Sequence, residues 1–154
     1  MLIINNMIYE IKYNKKINTI KNSCIALFCI NHNKINIYLV QLKNNLWDIP
    51  GGKINRNKKE NSFNSALREF QEETGFNIKK YKNKMHFQSM KWGEPPHTRL
   101  YYHISNCDNK LNIKFQPNNE TIDGKWFDVR FLPKLRHKRS ILFLIDFIEK
   151  NNLI

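Results

Sequence analysis

Cysteine is scarce in this 154-residue chain: there are three, Cys24, Cys29 and Cys107, and no C-x-x-C pair among them. An odd count without metal-ligand spacing argues against a zinc site and against a disulfide framework. Cys24 and Cys29 fall inside an apolar run, where a free thiol behaves as a small hydrophobe. The expected compartment is therefore reducing, intracellular and cytoplasmic. Acids are also few, with 13 Asp+Glu against 26 Lys+Arg and a net charge of +13. No apolar run approaches the roughly 20 residues that span a bilayer. The opening MLIINNMIYEIKYNKK sets Asn and Glu where a signal peptide needs an unbroken apolar stretch, so no membrane partner is expected. Internal repeats and Gly/Ser-rich linkers are missing too. What remains, 41% hydrophobic and 12% aromatic residues, excludes a disordered chain and gives one domain over 1–154. That length buries a sizeable core without a disulfide or structural metal.

The order of apolar runs predicts an α/β protein. MIYEIKY (7–13) alternates loosely, as an edge strand does. SCIALFCI (23–30) and INIYLVQL (35–42) are β-branched and aromatic runs separated by Asn31-His32-Asn33-Lys34, which predicts a hairpin. NLWDIPGG (45–52) is a short strand ending in Pro50-Gly51-Gly52, a strong punctuating signal. Further strands are predicted at 84–90, 99–105, 111–115 and 123–129, and a C-terminal helix at 140–150.

One helix carries the chemistry, from about Asn61 to Thr74. Phe63, Ala66, Leu67 and Phe70 stand at i, i+3, i+4 and i+7 and form its apolar stripe. Ser62 is the expected N-cap and Gly75 the left-handed C-terminal residue. Glu69, Glu72 and Glu73 project from another face, near the helix C-terminus, where mutual repulsion and the macrodipole both disfavour negative charge. Hard divalent cations, Mg²⁺ or Mn²⁺, reverse that cost, because they select clustered oxygen ligands and bridge to phosphate. Four of the 13 acids (Glu60, Glu69, Glu72, Glu73) lie within fourteen residues; set aside, they turn the +13 of the chain into +17. A basic body around one acidic cluster suits an anionic substrate held by metal. An Asn/Ile/Lys-rich composition is the plainer source of the same charge.

The stretch Gly52-Lys53-Ile54…Glu60…Arg68-Glu69-Phe70-Gln71-Glu72-Glu73-Thr74-Gly75-Phe76 resembles the Nudix box, G-x5-E-x7-R-E-U-x-E-E-x-G-U, with Phe at both bulky U positions. Spacing matches from Glu60 onward; seven residues rather than five separate Gly52 from Glu60, so the loop entering the helix is two longer. The resemblance implies an αβα sandwich of the Nudix type, with a mixed sheet, a catalytic helix after the Gly-rich turn and a C-terminal helix. It also implies an enzyme that hydrolyses a nucleoside diphosphate linked to another moiety. Glu69, Glu72 and Glu73 would ligate the cations, with backbone oxygen from the Gly51-Gly52 turn. Arg68 would orient the glutamates through Glu69 or Glu60, and Glu60 would ligate through water or steady Arg68. Lys53 would lie near the phosphates. The family often draws a general base or extra ligand from a distant loop, for which Glu120, Asp123 and Glu94 are candidates, with Glu120 favoured because it precedes Trp126-Phe127.

Substrate identity rests on residues around the box. Trp92 and Tyr101 would stack on a base, and Lys91, Arg99 and His97 would reach phosphates. WDIPGGKI and EETGF are similar to the mRNA-decapping branch, which makes the 5′ cap of RNA the first expected substrate. Free nucleotides (ADP-ribose, dinucleoside polyphosphates, oxidised nucleoside triphosphates) and diphosphoinositol polyphosphates compete with it, as does a remote reading as a non-catalytic binding module. KLRHKR (134–139) is either a solvated face or a polyanion patch.

Overall fold

In the computed structural model, residues 20–93 and 96–151 are described. The expected strand at 7–13 and the candidate Glu94 lie outside them. The apolar run at 23–30 becomes β1 (Asn22–Asn31), buried continuously from Ser23 to Cys29. Continuous burial marks a strand covered on both faces. β1 pairs parallel with β6 (Thr98–Asn106) and antiparallel with β2 (Lys34–Leu42), through a turn in which His32 and Asn33 both have positive φ. That is the two-residue hairpin chemistry that the twist of the strands favours. β5 (Gln88–Trp92) adds to β6, and β7 (Thr121–Asp128) to the other side of β2.

The predicted strand 45–52 is split in two. β3 (Trp47–Asp48) pairs with β2, and β4 (Gly51–Lys53) pairs with the first residues of β1. Pro50, which has no N–H to give a ladder, sits between them, and its carbonyl accepts from the Ile25 N–H at 3.0 Å. Because β1 pairs with β2 only over Phe28–Asn31, the two central strands part below that point, and the Pro50-Gly51-Gly52 turn fills the gap.

Among the described residues, helices cover both faces of a seven-stranded mixed sheet. α1 (Ser62–Thr74) packs Ala66, Leu67 and Phe70 on Ile25, Leu27, Tyr38 and Val40. α2 (Lys138–Lys150) packs Ile141, Leu144, Ile145 and Ile148 on the opposite side, against Cys24, Ala26, Phe28, Ile37 and Leu39. The alternation along β1 and β2 divides the two cores, which is the expected αβα sandwich.

Three local readings change. The N-cap of α1 is Asn61, whose side chain accepts from the Asn64 N–H at 2.8 Å; Ser62 instead shares a hydrogen bond of 2.5 Å with the Tyr101 hydroxyl. Residues 111–115 form no strand. Leu111, Ile113 and Phe115 alternate because they lie as a cover on the α1-side core, while β7 holds the free edge of β2. Cys29 and Cys107, expected as free thiols, form a disulfide with Cα atoms 4.8 Å apart. Parallel pairing of β1 with β6 brings these strand ends together, which no local spacing announces. Cys24 stays free and buried. Among the described residues no helix is long and apolar enough to cross a membrane.

Candidate active site

The site forms where the Gly51-Gly52 turn meets the buried side of α1. Glu69 and Glu73, one helical turn apart, are 8% and 5% exposed, while Glu72 points outward with its side chain 54% exposed. Glu120, on the loop before β7, completes a cluster with Glu69 and Glu73: one carboxylate oxygen from each lies within 4.8 Å of the others. A Cβ on Gly52 would stand 2.5 Å from the Glu69 carboxyl carbon, so only glycine lets the turn approach this carboxylate. The Gly51 N–H donates to Glu73 Oε1 at 3.4 Å. At the far end of α1, Gly75 takes φ 75° and its N–H closes on the Gln71 carbonyl, the left-handed ending that glycine adopts freely.

Arg68 gathers the remaining box acids. Its Nε and Nη2 donate to the two Glu60 oxygens at 2.9 and 3.0 Å, and Nη1 donates to Glu69 at 2.9 Å and to both Glu72 oxygens at 3.1 Å. Nη2 also donates to the Lys53 carbonyl at 3.1 Å, tying the end of β4 to the helix. Both pairings considered from the sequence, with Glu69 and with Glu60, therefore exist together. The two extra loop residues are absorbed in a 3₁₀ turn at Arg56–Lys58, after which Lys59 adopts φ 51°. Glu60 closes that loop, accepting from the Asn55 N–H at 3.2 Å and donating its own N–H to the Asn55 carbonyl at 3.3 Å.

The electrostatics divide the carboxylates. Hydrogen bonding from Arg68 holds Glu60 below its ordinary range, and the Glu60 contact in turn raises Arg68. Burial pushes Glu73 up to about 8, opposed by the Gly51 N–H and reinforced by Glu69, Glu120 and Asp48. Burial likewise raises Glu69 against the pull of Arg68. Converging carboxylates, two of them buried, are the donor set a hard divalent cation relieves of its charge penalty. Glu69, Glu73 and Glu120 offer three converging oxygens to a divalent cation, and the geometry leaves Glu72 on Arg68.

Four of the substrate candidates, Lys53, Trp92, Arg99 and Lys91, fall in two rows across the sheet. Strand register aligns Lys53, Asn22, Thr98 and Trp92, and beside them Gly52, Ser23, Arg99 and Lys91. Strands stand about 4.8 Å apart, so each row runs roughly 14 Å outward from the Gly51-Gly52 turn. Trp92 is 9% exposed and its indole N–H donates to the Ser140 carbonyl at 3.2 Å. Tyr101 lies under α1 with its ring 4.9 Å from Phe63. These two aromatics are used in packing, and Lys53, Lys91 and Arg99 are the cationic members of the rows, with Lys53 on the opposite face of the sheet from Lys91 and Arg99. Asp123 lies at the start of β7, where its carboxylate meets Lys125 at 3.5 Å and is absent from the acidic cluster.

Several residues of the site escape a reading of the sequence. Asp48 of β3 faces His137 at 3.6 Å and adds its charge to the field on Glu73. Asn118 and Thr121 hold the Glu120 loop to α1; the N-x-x-T spacing at a loop end was their sole local signal.

Known proteins extend the picture. Over 116 residues, 75% of this chain, it is 30% identical to the mRNA-decapping enzyme subunit 2 of Saccharomyces cerevisiae strain YJM789. The same figures hold for the m7GpppN-mRNA hydrolase of S. cerevisiae strain S288c. The match spans 12% of the length of these relatives. Among solved structures, the NUDIX domain of Shewanella oneidensis NrtR, crystallised with ADP ribose, superposes with TM-score 0.55 at 16% identity, over 86% of this chain and 88% of that one. A UDP-X diphosphatase gives TM-score 0.55 at 18% identity, over 85% and 64%. Both support the fold. Residues 22–145 match the NUDIX domain, and the chain belongs to that family.

Proposed function

We propose that this chain is a divalent-metal-dependent diphosphate hydrolase, one domain over 1–154, that acts on the 5′ cap of RNA inside the cell. The observation that carries the hydrolase reading is the convergence of Glu69, Glu73 and Glu120 beside the Gly51-Gly52 turn, braced by Arg68. Mg²⁺ or Mn²⁺ bound there supplies charge neutralisation of the diphosphate and a more acidic bound water. Glu69 and Glu73 would be its helical ligands, with backbone oxygen from Gly52, and Glu72 would join them on releasing Arg68. Glu120, exposed at the rim of the cluster, would hold the cation with one carboxylate oxygen and take the proton of the attacking water with the other, the latter a role worth about 10²–10⁴-fold. Arg68 and Glu60 keep the carboxylates in place when substrate charge arrives. Lys53, exposed at the end of β4, would meet the phosphates from the face it shares with Trp92, while Lys91 and Arg99, one residue along in register, present their charge on the α1 face with Tyr101.

Capped RNA is favoured over free nucleotides and diphosphoinositol polyphosphates by the identity with the decapping proteins and by the basic body, which suits a polyanion longer than one nucleotide. The test is cleavage, with Mg²⁺ or Mn²⁺, of cap-labelled RNA, ADP-ribose, a dinucleoside tetraphosphate and a diphosphoinositol phosphate, with Glu73→Gln alongside. Release of the cap nucleotide, lost in the variant and falling steeply with salt, is expected. Preference for a free nucleotide would overturn the cap reading. Binding without cleavage of any of the four would overturn the enzyme.

A further inference from the structure

The carbonyl end of a helix leaves several C=O groups without helical partners, and in α1 two of them, those of Glu73 and Thr74, are met by the loop that carries Glu120. The Gln116 N–H donates to the Thr74 carbonyl at 2.9 Å. The Glu73 carbonyl accepts twice, from Asn118 Nδ2 at 2.9 Å and from Thr121 Oγ1 at 2.5 Å. Asn118 then folds its own loop: its Oδ1 accepts the N–H groups of Glu120 at 2.9 Å and Thr121 at 3.0 Å, and Nδ2 also reaches Thr121 Oγ1 at 2.6 Å. Thr121 is fully buried. One residue, Glu73, is thus held from both ends, its carboxylate by the Gly51 N–H and its carbonyl by Asn118 and Thr121. Glu120 is the opposite case: its side chain is exposed, and what fixes it is the backbone that Asn118 holds.

We propose that Asn118 and Thr121 are positioning residues that set the distance of Glu120 from the Glu69–Glu73 pair, and so tune cation affinity through Glu120 without touching the cation. The inference rests on the reading of Glu120 as a member of the metal site. Both sides of the cluster are referred to one atom, the Glu73 carbonyl oxygen, so a movement of the helix end carries the loop with it. Partners of this kind, which orient a ligand from behind, typically alter metal affinity 10–100-fold when removed.

The test is Mn²⁺ affinity of the full chain, by calorimetry or by the paramagnetic resonance of free ion, for Asn118→Ala, Thr121→Val, Thr121→Ser and Glu120→Gln, with Asn118→Ala also made in the Glu120→Gln background. Asn118→Ala and Thr121→Val are expected to weaken Mn²⁺ binding about tenfold or more, and Thr121→Ser, which keeps the hydroxyl, to stay within about threefold of wild type. Asn118→Ala should cost nothing further once Glu120 is Gln, because two changes acting through one group are not additive. An equal loss in both backgrounds would show that Asn118 acts on the helix rather than on Glu120, and would overturn the proposal. So would Glu120→Gln binding Mn²⁺ like wild type, which would remove Glu120 from the site altogether. If Asn118→Ala fails to fold, the comparison of Thr121→Val with Thr121→Ser decides: equal affinities would refute positioning.

Discussion

Glu73→Gln should abolish a pH dependence of stability whose sign and size both follow from the burial of this carboxyl. Glu73 is 5% exposed, and desolvation lifts it from its ordinary 4.5 to about 8 in the folded, metal-free chain. The folded protein therefore holds a proton that the unfolded chain releases. The contribution of this carboxyl to stability is complete below pH 4.5 and is lost as pH rises toward 8. At about 1.4 kcal/mol per pH unit, the full span is on the order of 4–5 kcal/mol. Glutamine keeps the shape and an oxygen for the Gly51 N–H, and titrates nowhere. Urea unfolding in chelator at several pH values between about 5 and 8 should thus show wild type losing roughly 1 kcal/mol per pH unit relative to the variant. Excess Mg²⁺ should flatten the wild-type curve, because the cation replaces the proton and binds more tightly as pH rises. Parallel curves for the two proteins in chelator would refute the burial argument, whatever the effect on turnover.

Arg68→Met should lower stability by about 1–2 kcal/mol in urea unfolding, and by less in molar salt, because Glu60 and Glu69 (side chains 14% and 11% exposed) lose their shared cation while Glu72 remains solvated. Gly52→Ala should weaken Mn²⁺ binding about tenfold or more in calorimetry with the far-ultraviolet spectrum unchanged, since the methyl must occupy space 2.5 Å from the Glu69 carboxyl carbon. Cys107→Ser, which opens a link across 78 residues, should cost on the order of 4 kcal/mol without reductant. Dithiothreitol should bring wild type to the level of that variant and leave the variant unmoved; a wild type indifferent to reductant would show that the bond contributes nothing.

What was legible in the sequence was local. The stripe Phe63, Ala66, Leu67 and Phe70 announced α1 because helical period is a property of neighbours, and the hairpin of β1 and β2 followed from two β-branched runs and an Asn-rich turn. The same locality misled at Ser62: a serine beside an asparagine offers two caps, and the choice falls to Tyr101, 39 residues away, which engages the hydroxyl. It misled again at 111–115, where a period of two records which side chains meet the core and not whether a ladder partner exists.

The glutamates show the same division within a single motif. Residues 69, 72 and 73 share a helical face by sequence, yet i,i+4 geometry stacks Glu69 and Glu73 toward the Gly51-Gly52 turn and leaves Glu72 beside Arg68. The helix alone cannot choose between those partners. The choice comes from β4, which pairs with β1 below the point where β2 leaves it and so brings Gly52 against Glu69. The third carboxylate arrives by a longer route: β7 pairs with β2, its leading loop caps the carbonyl of Glu73, and Glu120 is set down by hydrogen bonds across 45 and 48 residues. The acids of the site were therefore readable as residues, while their selection into a cluster belongs to the sheet. Reaction class follows from the residues, and the arrangement of the carboxylates from the two strand pairings that deliver the turn and the loop.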